Sequence, residues 1–274
     1  MAEKVTAAAA GCAPGSRDAV CIHTKKIYSS CKDKDCIEDL RFYPTKSAQA
    51  VLSSAQSIRG GRAELLYTFV DVEPINFNRG YYTVDMRFYY RIVLQAMNGG
   101  ARYTEVEGLA AFDKRVVLYG SESSAKVYSS EARANDVDAP LDLTANMPTA
   151  YVEAVDPMLL SARFVDCPNP AVCSCLSGVP AGILSAFSDA LVLDDCASRR
   201  VCVSLGQFSL VRLERDTQLL IPVLDYCIPT ESCTIAGTGS SNTEDPCALF
   251  SDVEFPLDEF FPPDRERPCL CADR

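Results

Sequence analysis

Cysteine is confined to the two ends of this 274-residue chain, and this distribution constrains the fold more than any other feature. Of the 14 cysteines, none lies between residues 37 and 166. A core formed by the middle must therefore be held by packing and hydrogen bonds, whereas the flanks have thiols for cross-links. The two groups are Cys12, Cys21, Cys31 and Cys36, and then Cys167, Cys173, Cys175, Cys196, Cys202, Cys227, Cys233, Cys247, Cys269 and Cys271.

The spacing of the cysteines favours disulfides over zinc. Structural zinc sites use cysteine pairs separated by about two to four residues, repeated downstream. The chain has no CxxC pair, but it has CxC at Cys173/Cys175 and at Cys269/Cys271. A bond within a CxC pair would be strained, so these thiols suit bonds to other strands or other chains. A cytoplasmic zinc-binding module with four-cysteine sites is the alternative.

The cysteine-free middle has the pattern of β-strands. Over residues 81–95, apolar and polar side chains alternate, which predicts a strand with one buried face. We predict further strands over residues 62–72, 104–112, 116–119, 126–129 and 201–213, and helices over 47–58 and 180–191. The predicted fold is mainly β, an antiparallel β-sandwich or barrel-like core with cysteine-rich, loop-rich flanking segments. The residues of the predicted buried face are Tyr82, Val84, Met86, Phe88, Tyr90, Ile92 and Leu94.

Glycine pairs and a charged run predict turns between these elements. Gly60-Gly61 and Gly99-Gly100 are interpreted as hairpin turns. Residues 32–35 (KDKD) lie between two cysteines, and we expect a tight, solvated loop there.

The other face of the strand over residues 81–95 carries both aromatic and charged residues. Tyr81, Arg87, Tyr89 and Arg91 lie on this face. Aromatic residues and arginine are enriched in interface cores, so we expect a second sheet or another subunit to cover this face. These four residues are the candidate interface, with ordinary core packing as the alternative.

Composition divides the chain into five regions. They are a flexible N-terminal arm (1–20), a cysteine-rich segment (21–45), a cysteine-free β core (46–166), a cysteine-rich β region (167–253), and an acidic, proline-rich C-terminal arm ending in CxC (254–274).

Charge and histidine content exclude several classes of function. The net charge of −11 disfavours nucleic-acid binding, and no apolar run approaches the ~18 residues of a membrane-spanning helix. His23 is the only histidine, and a surface position is favoured over a catalytic pair with Cys21. Residues 135–142 contain three aspartates but lack the glycine and glutamate of an EF-hand, so a solvated loop is favoured over a calcium site. We therefore expect no catalytic residue, cofactor or metal ion.

Three sequence blocks carry a resemblance to known proteins. The first is Cys21–Arg41 (CIHTKKIYSSCKDKDCIEDLR), the second is residues 76–85 (NFNRGYYTVD), and the third combines residues 207–215 (QFSLVRLER) with 218–229 (QLLIPVLDYCIP). They resemble blocks of cysteine-rich proteins from clostridial spore formers. The group is similar to cysteine-rich exosporium proteins that self-assemble into crystalline layers on the spore surface.

The resemblance implies a self-assembling structural protein rather than an enzyme. It would form a two-dimensional lattice or fibre in the exosporium or coat, cross-linked by disulfides within and between chains. Its partners would be other copies of itself and other spore-surface proteins. We expect synthesis in the mother cell without a signal peptide, because residues 1–11 lack a basic segment followed by a long apolar run. Lysis of that cell would supply the oxidant.

Overall fold

Eight antiparallel strands and three short helices are the named elements of the described residues. The structure is a computed structural model, and it describes residues 21–99, 103–122, 147–166, 175–193, 199–220, 247, 250 and 253–260. The strands are β1 (Cys21–Arg41), β2 (Tyr43–Pro44), β3 (Ser57–Pro74), β4 (Tyr81–Met97), β5 (Tyr103–Tyr119), β6 (Thr149–Ala154), β7 (Met158–Asp166) and β8 (Arg199–Leu220). The helices are α1 (Lys46–Ser54), α2 (Ala181–Leu184) and α3 (Leu257–Phe260).

Sheet B is built from the cysteine-free stretch, in the strand order β2-β5-β4-β3. β4 and β5 pair without a break, from Tyr81 opposite Tyr119 to Met97 opposite Tyr103. The strand predicted over residues 81–95 is confirmed, since every residue of its predicted inner face is buried. The strand predicted over 62–72 lies within β3, and residues 116–119 are the end of β5 rather than a separate strand.

Sheet A is organised around β8, which pairs with β1 along one side and with β6 and β7 along the other. β7 covers the first half of β8 and β6 the second half. Residues 155–157 separate these two short strands. The side-chain amide of Gln207 donates a hydrogen bond of 2.9 Å to the Val155 carbonyl, so the break is bridged by a side chain.

The apolar core lies between the two sheets and draws on both. Ile92 and Leu94 of sheet B are fully buried, as are Leu205 and Leu213 of sheet A. Of the two architectures predicted, the described residues form the antiparallel β-sandwich. The cysteine-rich regions supply β1 and β8, so their strands share one core with the cysteine-free region.

Helix α1 is shorter than the predicted helix over residues 47–58. It begins after Thr45, whose hydroxyl accepts a hydrogen bond from the Ala48 amide, a standard N-cap. It ends at Ser54 because the Gln56 amide bonds to the Met97 carbonyl at 2.8 Å, which starts the pairing of β3 with β4.

Gly60 and Gly61 do not form the predicted hairpin turn. They lie within β3, where the pairing with β4 shifts between Arg59 and Arg62. A Cβ atom on Gly61 would lie 1.8 Å from the Val93 carbonyl oxygen, so the glycine is required for close approach of the two strands. Gly99 lies between β4 and β5 as expected, with φ of +63°.

The predicted solvated loop over residues 32–35 is also wrong. These residues lie in the middle of β1 and pair with residues 207–210 of β8. Asp33 and Asp35 point inward and are 7% and 3% exposed. Backbone pairing and interior ion pairs outweigh the local preference of these charged residues for solvent.

The helix predicted over residues 180–191 is a single turn, α2. The chain then turns towards β2 and α1. The Lys46 amide donates to the Ala190 carbonyl and the Val192 amide to the Pro44 carbonyl, each at 2.8 Å. These long-range hydrogen bonds replace those of a longer helix.

Phe250 and residues 253–260 lie against the outward face of sheet A. The ring of Phe208 is 4.9 Å from that of Phe250 and 5.4 Å from that of Phe255. Gly206 makes room for this contact, because a Cβ atom there would lie 2.8 Å from the Phe250 ring. None of the helices described is long and apolar enough to span a membrane.

Candidate functional site

Six of the predicted cross-linking cysteines lie among the described residues, and the structure places them on different elements. Cys21, Cys31 and Cys36 are on β1, and Cys202 is on β8 opposite Arg163 of β7. Cys175 is exposed at the start of the segment 175–193, and Cys247 is in the C-terminal part. The cysteines outside the described residues are Cys12, Cys167, Cys173, Cys196, Cys227, Cys233, Cys269 and Cys271.

Cys36 and Cys247 form a disulfide that joins the first strand to a residue 211 positions later. Their Cα atoms are 5.5 Å apart, as a disulfide requires. Cys31 on the same strand is disulfide-bonded as well. A disulfide typically stabilises a fold by about 2–4 kcal/mol, chiefly by restricting the unfolded chain. Bonds between chains stay a prediction.

Glu38 lies beside this disulfide. One ligand atom from each of Cys36, Glu38 and Cys247 lies within 4.8 Å of the other two. Thiolates and carboxylates are common ligands of zinc, so the two cysteines and the glutamate could together bind this ion. The disulfide occupies both sulfurs, so only the reduced form of these residues could hold a metal ion.

The four predicted interface residues lie along the outward face of β4, where the chain itself covers two of them. The Tyr89 hydroxyl donates to the Gly178 carbonyl at 3.3 Å. The Arg91 guanidinium lies 5.5 Å from the Phe187 ring centre and pairs with Glu107 at 3.0 Å. The segment 175–193 thus covers this half of the face.

The other half of this face carries two ion pairs between neighbouring strands. Arg87 and Asp113 form a bidentate pair with one contact of 2.7 Å, and Arg115 and Asp85 form another with one contact of 3.0 Å. The hydrogen bonds to Asp113 raise the pKa of Arg87. Because each arginine lies opposite its own aspartate, the two charges of each pair cancel, and this half of the face has no local net charge.

Apolar side chains surround these ion pairs and form what we term the open patch. Their exposed fractions lie between 38% and 53%, although most are aromatic. The Tyr81 and Tyr119 rings pack edge to face at 5.3 Å. A cleft of about 640 Å³, lined partly by Phe69, Arg87 and Pro180, lies where the patch meets the segment 175–193. The open patch consists of Tyr67, Phe69, Tyr81, Val117 and Tyr119.

A second polar site lies inside the sandwich. Six side chains from both sheets face one another there, and none is more than 7% exposed. Asp33 of β1 is opposite Ser209 of β8, and Asp35 is opposite Gln207. The buried polar cluster consists of Asp33, Asp35, Tyr90, Lys114, Gln207 and Ser209.

Lys114 of β5 is the cation of this cluster. Its side chain is 2% exposed, and its ammonium contacts Asp33 Oδ2 and, at 2.5 Å, Asp35 Oδ2. Asp33 Oδ1 accepts a hydrogen bond of 2.8 Å from the Lys34 amide. One lysine and two carboxyl groups are thus held in direct contact.

Four oxygens of the cluster are buried without a hydrogen-bond partner among the described residues: Asp35 Oδ1, Tyr90 Oη, Gln207 Oε1 and Ser209 Oγ. Burial raises the pKa of Asp35, which Lys114 partly offsets. Burial and the nearby Asp35 raise the pKa of Tyr90. Buried polar atoms are normally paired, so a group of unpaired ones requires an explanation beyond packing.

The buried polar cluster is not among the predicted sites, although the sequence contains a signal for it. Lys114 occupies an inward position in the alternation of Val106, Ala110, Phe112, Val116 and Leu118. A lysine on the apolar face of a predicted strand indicates a buried acidic partner. That partner could not be identified, because residues 32–35 were interpreted as a loop.

The other residues considered in the sequence, His23 and the aspartates of residues 135–142, form no functional site among the described residues. His23 is exposed on β1 opposite Gln218. The aspartates Asp136, Asp138 and Asp142 lie outside the described residues, as do Gly100 and the strand predicted over 126–129.

Comparisons with known proteins identified no relative of this chain. No protein-family model matches the chain, and the searches of curated proteins and of solved structures give no match either.

Proposed function

We propose that this chain is a self-assembling structural protein of a spore or cell surface, without enzymatic activity. It would form a two-dimensional lattice or a fibre from copies of itself, together with other spore-surface proteins. Disulfides within and between chains would cross-link the assembly. The open patch on sheet B is the observation that carries this proposal.

The open patch is suited to contact with another copy of the chain. Its five apolar residues lie on three adjacent strands, β3, β4 and β5, and share the outward face of sheet B. Exposed apolar surface rimmed by polar residues is typical of interaction sites. The two ion pairs within it are already satisfied, so covering them would leave no unpaired charge.

The cysteines give a second line of support. A disulfide such as Cys36–Cys247 is typical of proteins that function in an oxidising environment. The sequence blocks that resemble spore-surface proteins agree with such an environment, which the exosporium and coat provide. A bond between chains would make a reversible contact permanent until it is reduced.

Replacement of Phe69 by lysine tests the role of the open patch. Phe69 is 52% exposed, so the variant should fold normally but place a charge within the proposed contact. Phe77→Lys is the matched control, because Phe77 is fully exposed in the turn between β3 and β4. Sedimentation velocity and negative-stain microscopy under oxidising conditions should show ordered multimers for the wild type and for Phe77→Lys, and monomers for Phe69→Lys.

Two results would contradict the proposal. One is a wild-type protein that stays monomeric across a wide concentration range under oxidising conditions. The other is assembly of Phe69→Lys at the same concentration as the control, which would place the contact elsewhere.

The cluster of Cys36, Glu38 and Cys247 supports the zinc-binding module as a second candidate. Metal analysis of protein purified under reducing conditions distinguishes the two. The structural proposal predicts no stoichiometric zinc, whereas one ion per chain that is lost in Cys247→Ser would favour the zinc module.

A further inference from the structure

The buried polar cluster brings an amine into contact with a carboxyl group where both are shielded from solvent. Lys114 and Asp33 lie on opposite sheets, and their side chains are 2% and 7% exposed. Because the ammonium and the carboxylate are in direct contact away from solvent, a proton can pass directly from one to the other. A desolvated neutral lysine is a nucleophile, and a neutral carboxyl group is an acyl donor.

We propose that Lys114 and Asp33 form an isopeptide bond, an amide between Lys114 Nζ and Asp33 Cγ. The bond would join β5 of sheet B to β1 of sheet A through the core. It would covalently link sheet A to a strand of sheet B that contains no cysteine. This inference is independent of the self-assembly proposed above.

Asp35 is placed to move protons in this reaction. Its Oδ2 lies 2.5 Å from the same Nζ, and its Oδ1 has no hydrogen-bond partner among the described residues. Because burial raises its pKa, its neutral acid form is favoured relative to an exposed aspartate. A neutral carboxyl group can accept a proton through one oxygen while it donates its own from the other.

The Lys34 amide supports the acyl group. It donates a hydrogen bond of 2.8 Å to Asp33 Oδ1, the oxygen that would remain as the amide carbonyl. Negative charge develops on this oxygen when the amine attacks, and a fixed backbone donor stabilises that charge.

The reaction balances without an oxidant or a cofactor. A proton passes from the Lys114 ammonium to Asp33 Oδ2, which gives a neutral amine and a neutral acid. Nζ then attacks Cγ, while Asp35 accepts a proton from Nζ and donates one to Oδ2. The Cγ–Oδ2 bond breaks, Oδ2 leaves as water, and Asp35 returns to its acid form.

Intact-mass spectrometry of the full chain, after complete reduction and alkylation of the cysteines, tests the bond. We expect the wild-type mass to lie one water molecule below the mass calculated from the sequence. Trypsin should release residues 103–115 linked to residues 33–34, because the amide blocks cleavage after Lys114. Lys114→Arg should have its full calculated mass.

Asp35→Asn keeps both reacting groups and a side chain of the same size, so it tests the proton transfer in a folded protein. We expect linkage after refolding to be about 10²–10⁴-fold slower. Asp113→Asn is the control, since Asp113 adjoins Lys114 in sequence but its side chain is 65% exposed on the other face. This variant should lose one water molecule as the wild type does.

Three results would overturn the proposal. They are a full, unmodified mass for folded wild-type protein, a loss of water that persists in Lys114→Arg, and linkage in Asp35→Asn at the wild-type rate. Fragment spectra that place the amide on Asp35 would overturn the assignment of Asp33 as the acyl donor.

Discussion

The two sheets of this sandwich face the same core but are stabilised by different means. Sheet B comes from the cysteine-free stretch, and the buried side chains of its inward face are apolar apart from Tyr82, Tyr90 and Lys114. Sheet A contains the strand-borne cysteines Cys21, Cys31, Cys36 and Cys202. Its two longest strands also bury Asp33, Asp35, Gln207 and Ser209. Sheet B therefore depends on packing, whereas sheet A combines packing with covalent and polar links.

This difference explains why the cysteines are confined to the flanks. Adjacent segments of the chain form sheet B, and β3, β4 and β5 follow one another with short connections. β1 and β8 are far apart in the sequence, and pairing them carries a larger entropic cost of loop closure. A disulfide reduces that cost by restricting the unfolded chain.

The largest effect on the free energy of unfolding is expected from a substitution in the core of sheet B. Phe88→Ala removes a fully buried ring that stacks on Phe112 at 6.3 Å, so unfolding should require about 3–5 kcal/mol less free energy. Urea denaturation with and without reductant measures this loss. The loss should be the same in both conditions, because contributions of well-separated sites add. A loss that depends on reductant would show that the two sheets are not stabilised separately.

The next effect concerns the covalent link of sheet A. Replacing both Cys36 and Cys247 by serine should lower the free energy of unfolding by about 2–4 kcal/mol. The same denaturation experiment measures it, and reductant should destabilise the wild type by at least this amount. The response of the double variant to reductant then reports the remaining bridges, including that of Cys31. If the free energy of unfolding of the double variant equalled that of the wild type, this disulfide would not stabilise the fold.

The smallest effect is expected from exposed ion pairs, where the sheets should not differ. Arg87 pairs with Asp113 on sheet B, and Arg163 pairs with Asp39 on sheet A. Alanine at either arginine should cost about 0.2–1 kcal/mol, because both pairs are exposed. Added salt should reduce the cost, as measured by thermal unfolding across a salt series. A larger loss at Arg163 alone would show that this pair also fixes β7 against β1.

Local pattern predicted the central strands well, because alternation reports one buried face directly. The residues predicted to face inward on β4 do so, and the sandwich follows from such strands. The turn predicted at Gly60-Gly61 was wrong because glycine is equally compatible with a turn and with the close approach of two strands. The distinction depends on the Val93 carbonyl, which lies on another strand.

Non-local partners account for what could not be predicted. The charged residues 32–35 favour a loop until Lys114 and β8 are brought beside them. Spacing left the cysteine pairing open, and the partner of Cys36 depends on where the chain places Cys247 after β8. The segment 175–193 covers Tyr89 and Arg91, a contact that no local pattern in either segment indicates.

The Cys36–Cys247 disulfide also determines which part of the chain would carry a mechanical load. A pulling force applied to residue 21 and residue 260 follows the backbone to Cys36, crosses the sulfur–sulfur bond and continues from Cys247. The loop between these two cysteines, which are 211 positions apart in the sequence, contains all of sheet B and β6 to β8 and lies outside this path. Among the described residues, only the first part of β1, Phe250 and residues 253–260 could then be pulled from sheet A, so the oxidised sandwich would extend by a short, fixed length and stop.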